Sequence, residues 1–172
     1  MVSDDEVFEV AAALGAQLKA MDWMAVTVES CTGGLIARAL TETPGSSAWF
    51  DRGFVTYTNA AKAELVGVAE ATLAAHGAVS EPTAREMAAG GLARSQARLA
   101  MAVTGIAGPG GAVPGKPVGT VCFGWALQAR PGPPRLQTET RCFEGDRAQV
   151  RRAAALHALA VARAFLSTDP KD

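Results

Sequence analysis

Val7, Val10, Ala11, Leu14 and Leu18 recur at three- and four-residue spacing behind the acidic start Ser3-Asp4-Asp5, which predicts an amphipathic helix over residues 5–20. The period then changes. Ala25-Val26-Thr27-Val28 is a short β-branched run, and it predicts a strand that breaks at Glu29-Ser30-Cys31-Thr32-Gly33-Gly34. Leu35, Ile36, Ala39 and Leu40 return to helical spacing until Pro44-Gly45. A second strand is predicted over Phe54-Val55-Thr56-Tyr57, with Asn59 as the N-cap of a short helix through Lys62, Leu65 and Val66. Ser80-Glu81-Pro82-Thr83 opens the next helix, which carries Glu86, Met87 and Leu92, and His76 falls in the loop before the following strand. That strand, residues 99–103, is apolar and ends in Thr104-Gly105-Ile106-Ala107-Gly108-Pro109-Gly110-Gly111. Two more strands near 119–127 and 136–143 flank Ala129-Arg130-Pro131-Gly132-Pro133-Pro134 and read as an antiparallel hairpin. Gly145-Asp146-Arg147 then starts an alanine-rich helix to about residue 166, and residues 168–172 read as a frayed tail.

Crossover connections mixed with one hairpin predict an α/β fold. We expect a mixed parallel and antiparallel sheet with helices on both faces, a three-layer single domain with an ordered core over about 5–166. In such sheets ligands gather where strands end and helices begin, so residues 30–34 and 104–111 are the places to look for chemistry.

The length of 172 residues fits one domain, and 49% hydrophobic against 19% charged residues supplies a real core and excludes a disordered chain. Sixteen Lys and Arg against 17 Asp and Glu leave a net charge of -1, which argues against a dedicated nucleic-acid binder. The N-terminus is acidic where a signal peptide would be basic, and no apolar stretch nears the roughly 20 residues that span a bilayer. The expectation is a cytoplasmic protein without membrane contact. Cys31, Cys122 and Cys142 form no CxxC pair, and His76 and His157 are far apart, so neither a disulfide nor a metal site is expected.

Ser30 stands at the end of a buried strand, followed by residues whose N–H groups open a helix and can stabilise an oxyanion or hold a phosphate. The bland alternative is that Ser30 or Thr32 caps the helix while the glycines permit a turn. Cys31 is the competing nucleophile, but no neighbouring cation lowers its pKa, so Ser30 is preferred. A serine needs a base. His157 sits among Ala153, Leu156, Leu159 and Ala160 and reads as a packing residue, whereas Lys62 lies in the first turn after the second strand. Lysine serves as a base only when burial and a helix N-terminus depress its pKa from about 10.4; otherwise it is a solvated surface residue. Tyr57 is suited to stack on a flat heteroaromatic ring or to pack in the core, and Thr104 to hydrogen-bond substrate or Lys62 or to form a turn. The glycine loop matches neither a P-loop nor a dinucleotide fingerprint, and Gly45-Ser46-Ser47 reads equally as an anion-binding turn or an ordinary loop.

Taken in order, Val28-Glu29-Ser30-Cys31-Thr32-Gly33-Gly34, Pro44-Gly45-Ser46-Ser47, Gly53-Phe54-Val55-Thr56-Tyr57-Thr58-Asn59 with Lys62, Gly77-Ala78-Val79-Ser80, Thr104 to Gly111, Lys116-Pro117-Val118-Gly119-Thr120-Val121 and Gly145-Asp146-Arg147 form a specific pattern. The pattern resembles the CinA C-terminal domain family, whose stand-alone members are nicotinamide-nucleotide amidohydrolases. The resemblance runs from about Glu6 to Leu166, with Thr58 standing where the family pattern has serine. It implies hydrolysis of the carboxamide of nicotinamide mononucleotide (NMN) to nicotinic acid mononucleotide and ammonia in pyridine-nucleotide salvage. It also implies a pair formed by Ser30 and Lys62 with Thr104 and Tyr57 nearby, no cofactor, and a homodimer. Thr32, Gly33, Gly34, Ser46, Tyr57, Asn59, Gly105 and Gly108 are the candidate substrate contacts. Two other readings stay open: a non-catalytic nucleotide-binding module, and an interaction partner in DNA uptake or repair.

Overall fold

Five strands form one sheet in the order β2-β1-β3-β4-β5. β1 (Ala25–Glu29), β2 (Phe50–Val55) and β3 (Leu99–Gly105) run parallel, and β4 (Thr120–Leu127) and β5 (Arg135–Cys142) continue antiparallel. This computed structural model describes residues 1–167; the tail expected to fray, residues 168–172, lies outside them. Helices α1 (Asp4–Ala20), α2 (Leu35–Thr41) and α6 (Arg147–Ser167) pack together on one face, and α3 (Asn59–Val66), α4 (Glu70–His76) and α5 (Glu81–Ala93) on the other. The expected three-layer architecture is therefore present.

β1 and β4 are buried at every position, and β3 at all but its last residue, because helices cover both faces of the central strands. β5, at the edge, has no fully buried residue. α1 starts with a reciprocal capping box between Ser3 and Glu6 and buries Val7, Ala11, Leu14 and Leu18. Each such leucine removed from water contributes about 2 kcal/mol, which fixes the stripe against the sheet. On the opposite face, Gly90 of α5 lies so close to the Val66 carbonyl that a Cβ there would collide with it. That close approach seats the C-terminal end of α3, the helix that carries Lys62, against α5.

Three elements differ from the sequence expectation. β2 begins at Phe50 and stops before Tyr57, because Asp51-Arg52-Gly53 belongs to an exposed edge strand without apolar alternation. Thr58, not Asn59, caps α3, its Oγ1 accepting from the Ala61 N–H at 3.1 Å. α4 was not expected, and His76 closes it instead of lying in a loop. It buries no residue, so it has no apolar stripe for periodicity to detect.

Candidate active site

The parallel strands β1, β2 and β3 deliver residues 30–34, 56–62 and 104–111 to one edge of the sheet. Ser30 extends β1 by one residue, its N–H donating to the Val103 carbonyl at 2.9 Å, and it is 8% exposed. The Thr56 N–H donates to the Glu29 carbonyl at 2.8 Å, so the chain leaves β2 beside Ser30 and turns into α3. α3 carries Lys62 inward. Lys62 is 1% exposed, its Nζ lies 3.1 Å from Ser30 Oγ, and it donates to the Thr56 carbonyl at 2.9 Å.

Among the described residues no carboxylate pairs with Lys62. Burial holds its ammonium pKa below the ordinary lysine value. A Cys31 thiolate would oppose this, but burial pushes the thiol up to about 12, so it stays neutral near neutral pH. A buried amine whose charged form is disfavoured by burial thus touches a serine hydroxyl. This geometry suits proton abstraction from Ser30 and leaves Cys31 inert.

The turn after Ser30 is built differently from the expectation. Gly33 has φ +60, and its N–H donates to the Ser30 carbonyl at 3.0 Å. Glu29 is 1% exposed and its carboxylate accepts from the N–H groups of Gly34, Ile36 and Ala37 at 3.0, 3.1 and 2.8 Å. The amides of Gly33 and Gly34 are therefore spent, and an oxyanion or phosphate does not find them free. Among the described residues, the Cys31 and Thr32 amides have no oxygen acceptor. Glu29 had no assigned role, although a carboxylate directly before a helix-opening turn is a recognisable capping signal. Glu29→Ala is expected to destabilise the fold by about 2 to 4 kcal/mol, since one buried and two half-buried amides lose their carboxylate acceptor. A urea midpoint unchanged from the wild type would remove Glu29 as the anchor of α2.

The remaining candidates divide. Tyr57 lies past the end of β2, 55% exposed, and its hydroxyl accepts from Arg147 Nη2 at 2.7 Å. Gly105 pairs with Val121 on β4, and the Gly108 carbonyl accepts from Arg147 Nη1 at 2.9 Å. Thr104 is buried but donates to the Ala78 carbonyl at 2.8 Å instead of turning to Lys62, and so fastens the loop before α5. Thr32 is buried with no partner for its hydroxyl, and Asn59 is exposed at the start of α3. Ser46 is not brought to the site. It precedes β2, where Ala25 pairs with Phe50, at the opposite edge of the sheet and roughly 15 Å of strand away.

His157 is a packing residue, bonded to Glu139 at 2.9 Å and enclosed by Phe123, Trp125 and Phe143. A cavity of 410 Å³ lined by Leu92, Gln96, Arg98 and Gln128 lies at the far edge and includes no candidate residue. The sequence reading missed two residues, Arg147 and Arg151, one turn apart at the start of α6. Arg147 spans Tyr57 and Gly108, and Arg151 Nη2 donates to the Thr32 carbonyl at 2.8 Å. Arg147 stood in the Gly145-Asp146-Arg147 motif without an assigned role, and the only signal for Arg151 was a basic helix start.

The model of the CinA C-terminal domain family matches residues 7–166. The chain belongs to this family. Nicotinamide-nucleotide amidohydrolase PncC of Escherichia coli K12 is 49% identical over 158 residues, covering 92% of this chain and 93% of that protein. A putative competence-damage inducible protein of Symbiobacterium thermophilum is 52% identical over 168 residues; this chain spans only 39% of its length. Among solved family structures, the competence/damage inducible protein CihA of Agrobacterium tumefaciens has a TM-score of 0.88 at 44% identity, covering 94% of this chain and 96% of that one. Among the described residues no helix is long and apolar enough to cross a membrane, and no cluster of three or more His, Cys, Asp or Glu is placed to hold a metal ion.

Proposed function

We propose that this chain hydrolyses the carboxamide of NMN to nicotinic acid mononucleotide and ammonia, with Ser30 as nucleophile and Lys62 as base. The observation that carries this reading is the buried Lys62 amine, 3.1 Å from Ser30 Oγ and free of any carboxylate partner among the described residues. The PncC relatives, similar over nearly their whole length, supply the substrate class.

Neutral Lys62 takes the Ser30 proton as Oγ bonds to the carboxamide carbon, and the carbonyl π electrons move onto oxygen. The N–H groups of Cys31 and Thr32 are the donors left to receive that oxyanion. Lys62 then returns the proton to the departing nitrogen, ammonia leaves, and an ester to Ser30 remains. Water, deprotonated by Lys62, cleaves the ester and restores Ser30. The substrate's pyridinium withdraws electrons from the carbonyl and suits the exposed Tyr57 ring as a cation–π partner. Arg147, at the mouth of the site, is the cation best placed for the phosphate. In this reading the protein works in the cytoplasm in pyridine-nucleotide salvage, with no nucleic acid as partner.

Ammonia release from NMN by the purified protein tests the proposal. Binding of NMN without release would instead favour a nucleotide-binding module. The active form is a homodimer in this reading, as is common for soluble enzymes of this size, so light scattering should give twice the chain mass of 17.7 kDa. A monomer mass at all working concentrations would remove the dimer and leave the chemistry standing.

A further inference from the structure

The peptide joining Thr32 to Gly33 is held from both sides. Its N–H donates to the Ser30 carbonyl at 3.0 Å, and its carbonyl accepts from Leu35 N–H at 3.3 Å and from Arg151 Nη2 at 2.8 Å. Arg151 comes from α6, 119 residues further along the chain, and pairs with no carboxylate among the described residues. Its Nε is buried without a partner. A guanidinium normally takes a planar fork of acceptors; this one is committed to a single backbone carbonyl and leaves a buried donor unpaired. Gly33 completes the fit. At φ +60 a side chain would be strained, and a Cβ there would stand 3.3 Å from the same Nη2.

We propose that Arg151 is a positioning residue of the hydrolysis proposed above. By fixing the Thr32 carbonyl it sets the plane of residues 30–33, and with it the direction of the Cys31 and Thr32 N–H groups and of Ser30 Oγ toward Lys62. It acts from behind the turn, whereas Arg147, one helical turn earlier, reaches Tyr57 and Gly108 at the front. The two arginines therefore separate kinetically. Loss of a front-side anchor raises KM, and loss of turn geometry lowers kcat.

The test uses Arg151→Ala and Arg151→Lys in the full chain, with steady-state kinetics on NMN and the rate at which a fluorophosphonate labels Ser30. For Arg151→Ala, kcat should fall by about 10- to 100-fold, the scale of a misplaced reacting group, with KM changed less than about threefold. Labelling should slow in parallel. Millimolar guanidinium chloride, below denaturing concentration, should restore part of kcat, and sodium chloride at equal ionic strength should not. Arg151→Lys keeps the charge without the planar donor and carries the test if the alanine variant does not fold; it too should lose kcat. Unchanged kcat, a change in KM alone, or a kcat loss without guanidinium rescue overturns the proposal. If the wild type labels at Ser30 but releases no ammonia from NMN, the substrate assignment fails and the labelling rates still decide Arg151. Absence of Ser30 labelling in the wild type overturns both.

Discussion

Ser30→Ala is expected to reduce ammonia release from NMN by at least about a hundredfold, a loss of about 2.7 kcal/mol or more of transition-state stabilisation. The side-chain bond given up is the contact with Lys62 Nζ, and the volume removed is one oxygen, so the variant should fold as the wild type does. Circular dichroism and the urea midpoint check the fold while the ammonia assay checks the chemistry. Cys31→Ala is the matched control. Its thiol is buried and pushed up to about 12, so it supplies almost no thiolate near neutral pH, and the variant should keep most of the activity. Near-normal turnover in Ser30→Ala would transfer the role to Cys31 or to a directly activated water, and inactivation by Cys31→Ala and by iodoacetamide alike would make Cys31 the nucleophile.

Lys62→Arg should be as inactive as Lys62→Ala, because arginine keeps a positive charge and cannot give up its proton. The wild-type rate of acylation should rise with pH through the depressed Lys62 pKa, the point at which the amine becomes a base. Stability has its own pH dependence. A lysine whose folded pKa lies below 10.5 binds fewer protons folded than unfolded between those two values, so stability rises with pH across that window. The cost is complete below the folded pKa, at about 1.4 kcal/mol for each unit of depression. Lys62→Met, of similar length and uncharged, should therefore be inactive yet more stable than the wild type, with a gain that grows as pH falls through the window and then levels off. Measurement of kcat, KM and urea midpoints between pH 6 and 10 decides the matter. Substantial kcat in Lys62→Arg, with the damage confined to KM, would make Lys62 a substrate anchor and remove it from catalysis.

Much of the architecture was legible along the chain because the central strands and the helix stripes are governed by burial. Ala25 to Val28 and Leu99 to Val103 read as strands because both of their faces are covered, and the stripe of Val7, Ala11, Leu14 and Leu18 reads as a helix because one side is. The elements misread were those that burial does not pattern. β2 lies on the edge with Asp51, Arg52 and Gly53 in its middle, and α4 has no fully buried residue. The site showed the same division. Ser30 and Lys62 could be named as candidates from a strand end, a turn and a helix start, but the sequence offered an equally ordinary reading for each.

Local pattern and spacing determined the order of elements apart from α4, the mixed three-layer sheet and the edge at which chemistry is to be sought, since those follow from periodicity and turn residues within short stretches. Tertiary structure alone decided the state of Lys62, whose burial at 1% exposure comes from the seating of α3 by Gly90 and the exit of β2 beside Glu29. It also separated Ser46 from the site, turned Thr104 to Ala78, brought Arg151 across 119 residues to the turn that carries Ser30, and set Arg147 against Tyr57 and Gly108. A pKa, a buried hydrogen bond and a clamp on a backbone carbonyl depend on which distant groups share one small volume. That is settled by how the layers pack, and no local stretch of sequence contains it.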